Sequence, residues 1–478
     1  MTDKKHQPFF ILSISVFIAL IVPALIQNGM FMDGIIYATV AKNFSHALGS
    51  WWNLFLTGSL LPSYHDQPPL TLWIESFFFR IFGDSIYTER IYSFFTACIS
   101  GWLIIIIWKQ IYRDDTKLKK LCWIPFLFWI IRPCVFWSYS NNMQENTMSI
   151  FVLLAVWTIL KGIQSAGNKI YFFFTGGLFI FLSSMCKGIQ GTFPLVLVII
   201  HWMVYRNFTF GKAIYYSMAV AIVPVLIYFV MFQDEIIYKS FQDYFTARLY
   251  PTFNEAAVQT TGYRLFLFTR LLEELIIPVI ICVMLLFAVH KRKFSAAVDS
   301  SQWKIILLFL LIGLSGFLPL MLTKEQRWFY MVPSASFFAI AFSALIAPTI
   351  NKMFENLNPE QKGFRIFSRF SIFLLFSVIV FAFMQTGKTR RDRDLLHDVY
   401  AIGKNLPAHS SILVNDTIWG NWSLQLYLYR HFNISLDKNP QRSHPYRLIS
   451  SPSAPPDSMN FSEQKLDLKM FRLYELKH

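Results

Sequence analysis

Charge is what this chain has least of. Only 15% of its 478 residues are Asp, Glu, Lys or Arg, against about 25% in soluble globular chains, and the shortfall excludes a water-soluble body of this length. Cysteine is scarce as well. Cys98, Cys122, Cys134, Cys186 and Cys282 all fall in or beside apolar segments, without CxxC or Cys/His spacing, which leaves them as packing residues. A glycine-rich phosphate loop is missing, because Gly387-Lys388-Thr389 lacks the upstream glycine of that pattern. No internal repeat is visible.

What the chain does have is apolar length. Hydrophobic residues make up 55%, with 50 Phe, 21 Tyr and 14 Trp. A helix rises about 1.5 Å per residue, so a hydrocarbon core of about 30 Å takes roughly 20 apolar residues to cross. Segments near 9–27, 91–108, 121–137, 147–160, 170–186, 189–205, 213–232, 266–289, 305–322, 328–347 and 370–386 meet that test. The first is not a cleavable signal, since its run is long, carries Pro23 and ends without a small-x-small site. The reading is an α-helical polytopic membrane protein of about eleven spans.

The net charge of +15 raises the question of nucleic acid, and placement answers it. With a cytoplasmic N-terminus, the loops on that side carry 19 Lys or Arg in 73 residues and the opposite loops 9 in 110. The positive-inside rule then sets the orientation, and an odd span count puts the C-terminal segment outside. No basic stripe with interleaved stacking aromatics appears, so nucleic acid is not a partner.

Two domains are expected: a membrane body, 1–386, and an extracytoplasmic segment, 387–478, read as helix (393–405), strand (411–415), helix (420–431) and strand (433–436), then loosening into a Pro/Ser-rich stretch at 440–460. In the long loop 28–90, Ile36, Val40, Phe44 and Leu48 recur every four residues, which predicts an amphipathic interfacial helix over 34–48, with a second over 69–82 after Pro68-Pro69. The loop 234–264 is polar and aromatic. Loops over one face of a rigid bundle are where chemistry is placed.

On that face the titratable residues collect. Asp33 follows the first span and suits either a helix N-cap or a general base at the membrane surface. His65, Asp66 and Gln67 precede the rigid diproline, a bare turn or a set of metal-type and hydrogen-bonding ligands. Glu145 opens the fourth span, where a first-turn carboxylate also favours the helix dipole. Lys187, Arg248, Lys324 and Arg327 supply cations; singly each suits a snorkelling anchor, and together with the acids they describe a polar chamber for a lipid-borne phosphate. Arg132 and Arg270 lie near or within spans and read as structural, with Glu273 and Glu274 a turn from Arg270.

An acid after the first span, a diproline and Leu in the first loop, the run Phe82-Gly83-Asp84-Ser85-Ile86-Tyr87-Thr88-Glu89-Arg90, an acid opening the fourth span, Lys187-Gly188 and Arg327-Trp328-Phe329-Tyr330-Met331-Val332-Pro333 stand in order along roughly 1–390. In this the chain resembles the bacterial polyprenyl-phosphate-dependent glycosyltransferases of the GT-C class, near the protein O-mannosyltransferase and lipid A aminoarabinose transferase families. The resemblance implies inverting transfer of a sugar from an undecaprenyl- or other polyprenyl-phosphate donor to an acceptor hydroxyl of a lipid, glycan or protein, at the outer face of the inner membrane. It further implies Asp33 as catalytic carboxylate, Glu145 as second acid, and Lys187, Arg248 and Arg327 toward the lipid phosphate, beside which Lys324 stands as a further cation of the same face. Asp66 falls where some relatives place a carboxylate that helps bind a divalent metal. The chain departs from many relatives at Gly34, where they carry Glu, and at Gln67, where they carry Lys. Gln67 hydrogen-bonds phosphate without supplying charge, so another cation or His65 has to serve.

A polytopic transporter or lipid-linked-sugar flippase is the rival from another class. Transporters put their ionisable residues near the midplane on interrupted helices and often show repeated halves. Here the acids and cations gather at the outer ends of the predicted spans.

Overall fold

The computed structural model of the chain describes residues 4–165, 167, 169–254, 265–291, 298–451 and 461–477. Parts of the loop 234–264 and of the Pro/Ser-rich stretch lie outside the described residues. The chain is a helical membrane protein with eight candidate spans: Gln7–Ile26, Thr88–Ile111, Gln144–Gln164, Tyr171–Tyr205, Phe210–Met231, Ser300–Leu322, Trp328–Glu355 and Lys362–Phe383. Local chemistry sets several of their ends. Asp299 accepts the Gln302 N–H at 2.7 Å to open Ser300–Phe317, and Thr209 caps Phe210–Met231. Pro23, Pro224 and Pro348 sit inside spanning helices, where neighbouring helices compensate for the missing hydrogen bond.

Four of the eleven expected spans differ from expectation: 121–137 and 266–289 are not among the eight candidates, and 170–186 with 189–205 runs as one segment, Tyr171–Tyr205. The segment 121–137 is not one helix but two, Trp123–Ile130 and Pro133–Tyr139. Pro133 forces Arg132 into an extended backbone and starts a new helix as its first residue. The run Tyr171–Tyr205 is far longer than one crossing, and it folds back on itself at Gly188. Gly188 has φ +71°, which side-chain-bearing residues avoid. The 3-10 helix Gly188–Val196 then packs against the helix it has just left, with the Ser183 hydroxyl donating to the Gly191 carbonyl at 2.5 Å.

The chain forms two compact units. The helical unit comprises Met1–Ala24, His65–Thr71 and Ser93–Gln385. Its centre is the helix Val332–Glu355, which packs against Ser300–Phe317, Trp123–Ile130, Phe266–Lys291 and Gln144–Gln164. The apolar window of that central span is 83% buried, against 17% for Phe210–Met231 and 11% for Lys362–Phe383. Side chains such as Phe229, Val230, Phe373 and Phe376 stand exposed on the last two, a surface that only lipid satisfies. Arg270 pairs with Glu273 as expected, whereas Glu274 turns away and accepts the Cys134 N–H at 2.8 Å beside the Arg132 break.

The mixed unit comprises Leu25–Tyr64, Leu72–Tyr92 and Thr386–His478. The first long loop and the C-terminal segment therefore fold together. The helix over 34–48 is real, at Met32–Ser45, but it does not lie amphipathic at an interface: every residue from Gly34 to Phe44 is buried. Its second face is covered by the helix Trp422–Phe432. Lys42 donates to the Tyr429 and Arg430 carbonyls and to Asn433 Oδ1 at 2.7 Å, closing the C-terminal end of that helix. Burial, helped by Arg430, lowers the Lys42 amine to about 8. Arg430 in turn reaches Glu89 at 2.7 Å and the Asp84 and Ser85 carbonyls. Leu70–Phe82 keeps Phe77, Ile81 and Phe82 exposed, as an interfacial helix does.

The C-terminal segment holds more strand than its sequence shows. β1 (Ser411–Leu413), β2 (Ser435–Asp437), β3 (Tyr446–Ser450), β4 (Phe461–Glu463) and β5 (Phe471–Leu476) form one sheet in the order β2-β1-β3-β5-β4. β1 runs parallel to β2 and β3, and β5 antiparallel to β3 and β4. The registers Ile412 with Leu436 and Leu448 with Leu473 line up four almost fully buried side chains. The expected loosening after 440 is thus corrected to a paired strand at 446–450, whose inward side chains are hydrophobic and whose partner lies beyond the Pro/Ser stretch.

Candidate functional site

Within the helical unit, the fold-back at Gly188, the π-helical turn Tyr244–Leu249 and the end of the span Ser300–Leu322 enclose a cavity of about 480 Å³. One part of its wall is polar: Gln67, Lys187, Gln190, Arg248, Thr323 and Glu325. Most of the rest is apolar, including Phe193, Leu195, Val196, Leu249, Pro319 and Leu322, with Thr192, Thr252 and Ser315 among them. Gly188 is required here twice over, by its positive φ and because a Cβ would collide with the Tyr244 hydroxyl.

The cations are held in two different ways. Lys187 ion-pairs with Glu145, both buried, and its ammonium lies 4.6 Å from the Tyr330 ring centre. Gln190 donates to the Tyr330 carbonyl at 2.6 Å and so fixes that wall. Arg248 and Arg327 instead share one buried carboxylate, Glu325, each at 3.4 Å, and both remain about one-third exposed. Two guanidinium groups thus share one buried carboxylate at the cavity, and Arg248 also faces the Asp66 carboxyl.

Of the residues expected from sequence, Gln67, Lys187 and Arg248 line this cavity. Glu145 does not line it and reaches it through Lys187; one of its oxygens has no hydrogen-bond partner among the described residues. Arg327 approaches through Glu325. The Lys324 backbone N–H donates to the Thr252 carbonyl at 2.7 Å, which ties its loop to the short helix Pro251–Asn254. His65 points to Ser240 at 3.1 Å and to Asp243 at 4.0 Å, and burial lowers its pKa against the pull of Asp243. Burial raises the Asp66 carboxyl above its ordinary value, opposed by Arg248 and reinforced by Glu325. Asp33 belongs to the mixed unit, in the first turn of Met32–Ser45; Phe31, not Asp33, occupies the N-cap position.

Sequence reasoning missed Glu325, the residue that organises two of the cations. Its signal was the alternation Lys324-Glu325-Gln326-Arg327, in which only the cations stood out. The donors around Asp66 do not suit a divalent metal: Arg248 already faces the carboxyl and Glu325 is committed to two arginines. Among the described residues no three His, Cys, Asp or Glu side chains gather as metal ligands.

No family model matches the sequence, and no curated protein matches it. Among solved structures, ArnT from Cupriavidus metallidurans bound to undecaprenyl phosphate aligns over 97% of this chain and 97% of that one, at 12% identity and a TM-score of 0.62. The chain shares the ArnT fold. The apo state of the same protein aligns over 96% of each chain at 12% identity and a TM-score of 0.58. The Archaeoglobus fulgidus oligosaccharyltransferase in complex with Zn and sulfate reaches a TM-score of 0.49 at 12% identity, over 90% of this chain and 62% of that one, too low to speak for the fold. The GT-C resemblance drawn from sequence motifs is therefore met, at low identity, by a structural match to ArnT over nearly the whole chain.

Proposed function

We propose that this chain is a membrane glycosyltransferase that moves a sugar from a polyprenyl-phosphate donor to an acceptor hydroxyl at the outer face of the inner membrane. The observation that carries the reading is the cavity whose polar wall holds Lys187, Arg248 and Gln67 and whose remainder is mostly apolar, within a fold shared with a protein solved with undecaprenyl phosphate. A lipid phosphate has the same two-part chemistry, an anion joined to hydrocarbon.

In this reading Asp33 takes the acceptor hydroxyl proton as the oxygen attacks the anomeric carbon. The new C–O bond forms as the C–O bond to phosphate breaks on the opposite face, with inversion, and the polyprenyl phosphate leaves with the bonding electrons. Lys187, Arg248 and Arg327 stabilise the charge that develops on it, with Gln67 as a hydrogen-bond donor. Glu145 serves the reaction as second acid by positioning Lys187. The topology that goes with this function is a cytoplasmic N-terminus, about eleven passes counting the two arms at Gly188 separately and adding Phe266–Lys291 and the broken segment 121–137, a catalytic membrane domain to 386 and an extracytoplasmic segment from 387.

The test is transfer from a labelled undecaprenyl-phosphate sugar by the full chain in liposomes, with products identified by mass spectrometry of lipids, glycans and proteins from cells with and without it. Asp33→Asn is expected to lower transfer about 10²- to 10⁴-fold while donor binding stays intact. Undiminished transfer in that variant would sink the base assignment.

A further inference from the structure

A second cavity, of about 510 Å³, lies wholly within the mixed unit, lined by Asn28, Thr389, Arg393, Leu396, His397, Tyr400, Ala401, Lys404 and Lys469. Its size falls within the range of small-molecule sites, about 300–1,000 Å³. None of its lining side chains is a carboxylate. Arg393, His397, Tyr400 and Lys404 follow one another at steps of four, three and four along the helix Arg393–Asn405, so they share one face.

The charges around it are unevenly matched. Lys469 pairs with Asp394 at 3.1 Å, and His397 lies 3.4 Å from Asp398 and 3.5 Å from Asp467. Asp398 is itself occupied, accepting the N–H groups of Lys469, Met470 and Phe471. The side chains of Arg393 and Lys404 have no hydrogen bond or ion pair among the described residues. On the Asn28 side, the Asn28 amide donates to the Tyr400 hydroxyl at 3.0 Å. This wall is held firmly, because the Asn28 N–H donates to the Lys388 carbonyl at 2.8 Å and the Arg390 N–H to the Asn28 carbonyl at 2.9 Å.

Chain connectivity places this basic cavity at a bilayer surface. Asn28 comes two residues after the candidate span that ends at Ile26, and Thr389 six residues after the one that ends at Phe383. At 3.3–3.6 Å per residue they stand at most about 7 Å and about 22 Å from those helix ends. The anions that fill that layer are lipid phosphates. A guanidinium fork and two ammonium groups around neutral hydrogen-bonding groups match a phosphate with several acceptor oxygens.

We propose that this cavity binds the phosphate of an anionic membrane-lipid headgroup, held by Arg393, Lys404 and Lys469, at a site separate from the one assigned to the sugar donor. The site docks the C-terminal segment onto a lipid surface.

The test is native mass spectrometry of the full chain in detergent, titrated with short-chain phosphatidylglycerol, short-chain phosphatidylcholine or inorganic phosphate. Phosphatidylglycerol is expected to occupy a tight site that phosphatidylcholine, whose choline cation is repelled, does not fill. Arg393→Gln with Lys404→Gln weakens that site about tenfold or more, and Arg248→Gln leaves it unchanged. Equal phosphatidylglycerol binding by the double variant, or equal binding of the two lipids by the parent chain, overturns the proposal. Displacement of phosphatidylglycerol by an equimolar amount of inorganic phosphate overturns its lipid half, since the acyl chains would then contribute nothing. Because the readout is lipid binding, the result does not depend on whether the chain transfers sugar. Unchanged thermal unfolding of the double variant shows that it is folded.

Discussion

The two cavities are nearly equal in volume, about 480 and about 510 Å³, and are built on opposite terms. In the helical unit Lys187 pairs with Glu145, and Arg248 and Arg327 share Glu325. In the mixed unit Arg393 and Lys404 are left without such partners among the described residues. The difference follows from solvent. A charge inside a bundle bounded by lipid is costly unless paired before any ligand arrives, whereas a charge on a water-facing helix is already solvated. Cations in the first cavity are thus part of the fold as well as of the site, whereas in the second Arg393 and Lys404 are left to serve a ligand and Lys469 alone is shared with Asp394.

The largest test of that contrast is Lys187→Met. It strands Glu145, a fully buried carboxylate, and is expected to cost about 3–5 kcal/mol of stability, read as a fall in the thermal midpoint in detergent. Lys187→Met combined with Glu145→Met recovers most of the loss; a single variant as stable as the parent would break the comparison at its root. Next comes Arg248→Gln, which leaves Arg327 on Glu325 and should weaken binding of polyprenyl phosphate about tenfold, roughly 1.4 kcal/mol, measured by competition with a labelled lipid.

A pH titration sharpens the picture further. Because burial raises the Asp66 carboxyl above 3.8, the folded chain binds this proton more tightly than the unfolded chain does. Stability from this group is then full below pH 3.8 and is lost as pH rises through the raised folded value. Asp66→Asn is expected to flatten that decline in unfolding measurements across the acidic range. An unaltered slope would show that Asp66 is not desolvated. The smallest effect is reserved for Arg393→Gln with Lys404→Gln, where removing exposed, unpaired cations should change stability by less than about 0.5 kcal/mol. A larger loss would mean that the second cavity, like the first, is wired into the fold.

Much of the membrane architecture was legible, because a run such as 9–27 is apolar on every face and needs no partner to be recognised. The four-residue recurrence of Ile36, Val40 and Phe44 was legible as a helix for the same reason. What covers that helix was not, since Tyr427, which bonds Met30, lies 397 residues away. The break at Arg132-Pro133 was masked by flanking apolar residues, and β3 by the polar residues before it. At the candidate site, Lys187 and Arg248 announced themselves as cations on an otherwise apolar chain. Glu325 did not, because its role depends on where Arg248 folds to, and sequence spacing carries no trace of a pairing made across 77 residues.

The long reach between the first loop and the C-terminal helices also sets a clock. Translation proceeds at about 5–20 residues per second, so a ribosome that has just delivered Met30 takes roughly 20 to 80 s to deliver Tyr427, 397 residues later. Throughout that interval the helix Met32–Ser45 has been synthesised but the helix that buries it has not. Nascent chains halted before residue 422 should therefore display this segment to proteases or chaperones, and chains released after 432 should hide it.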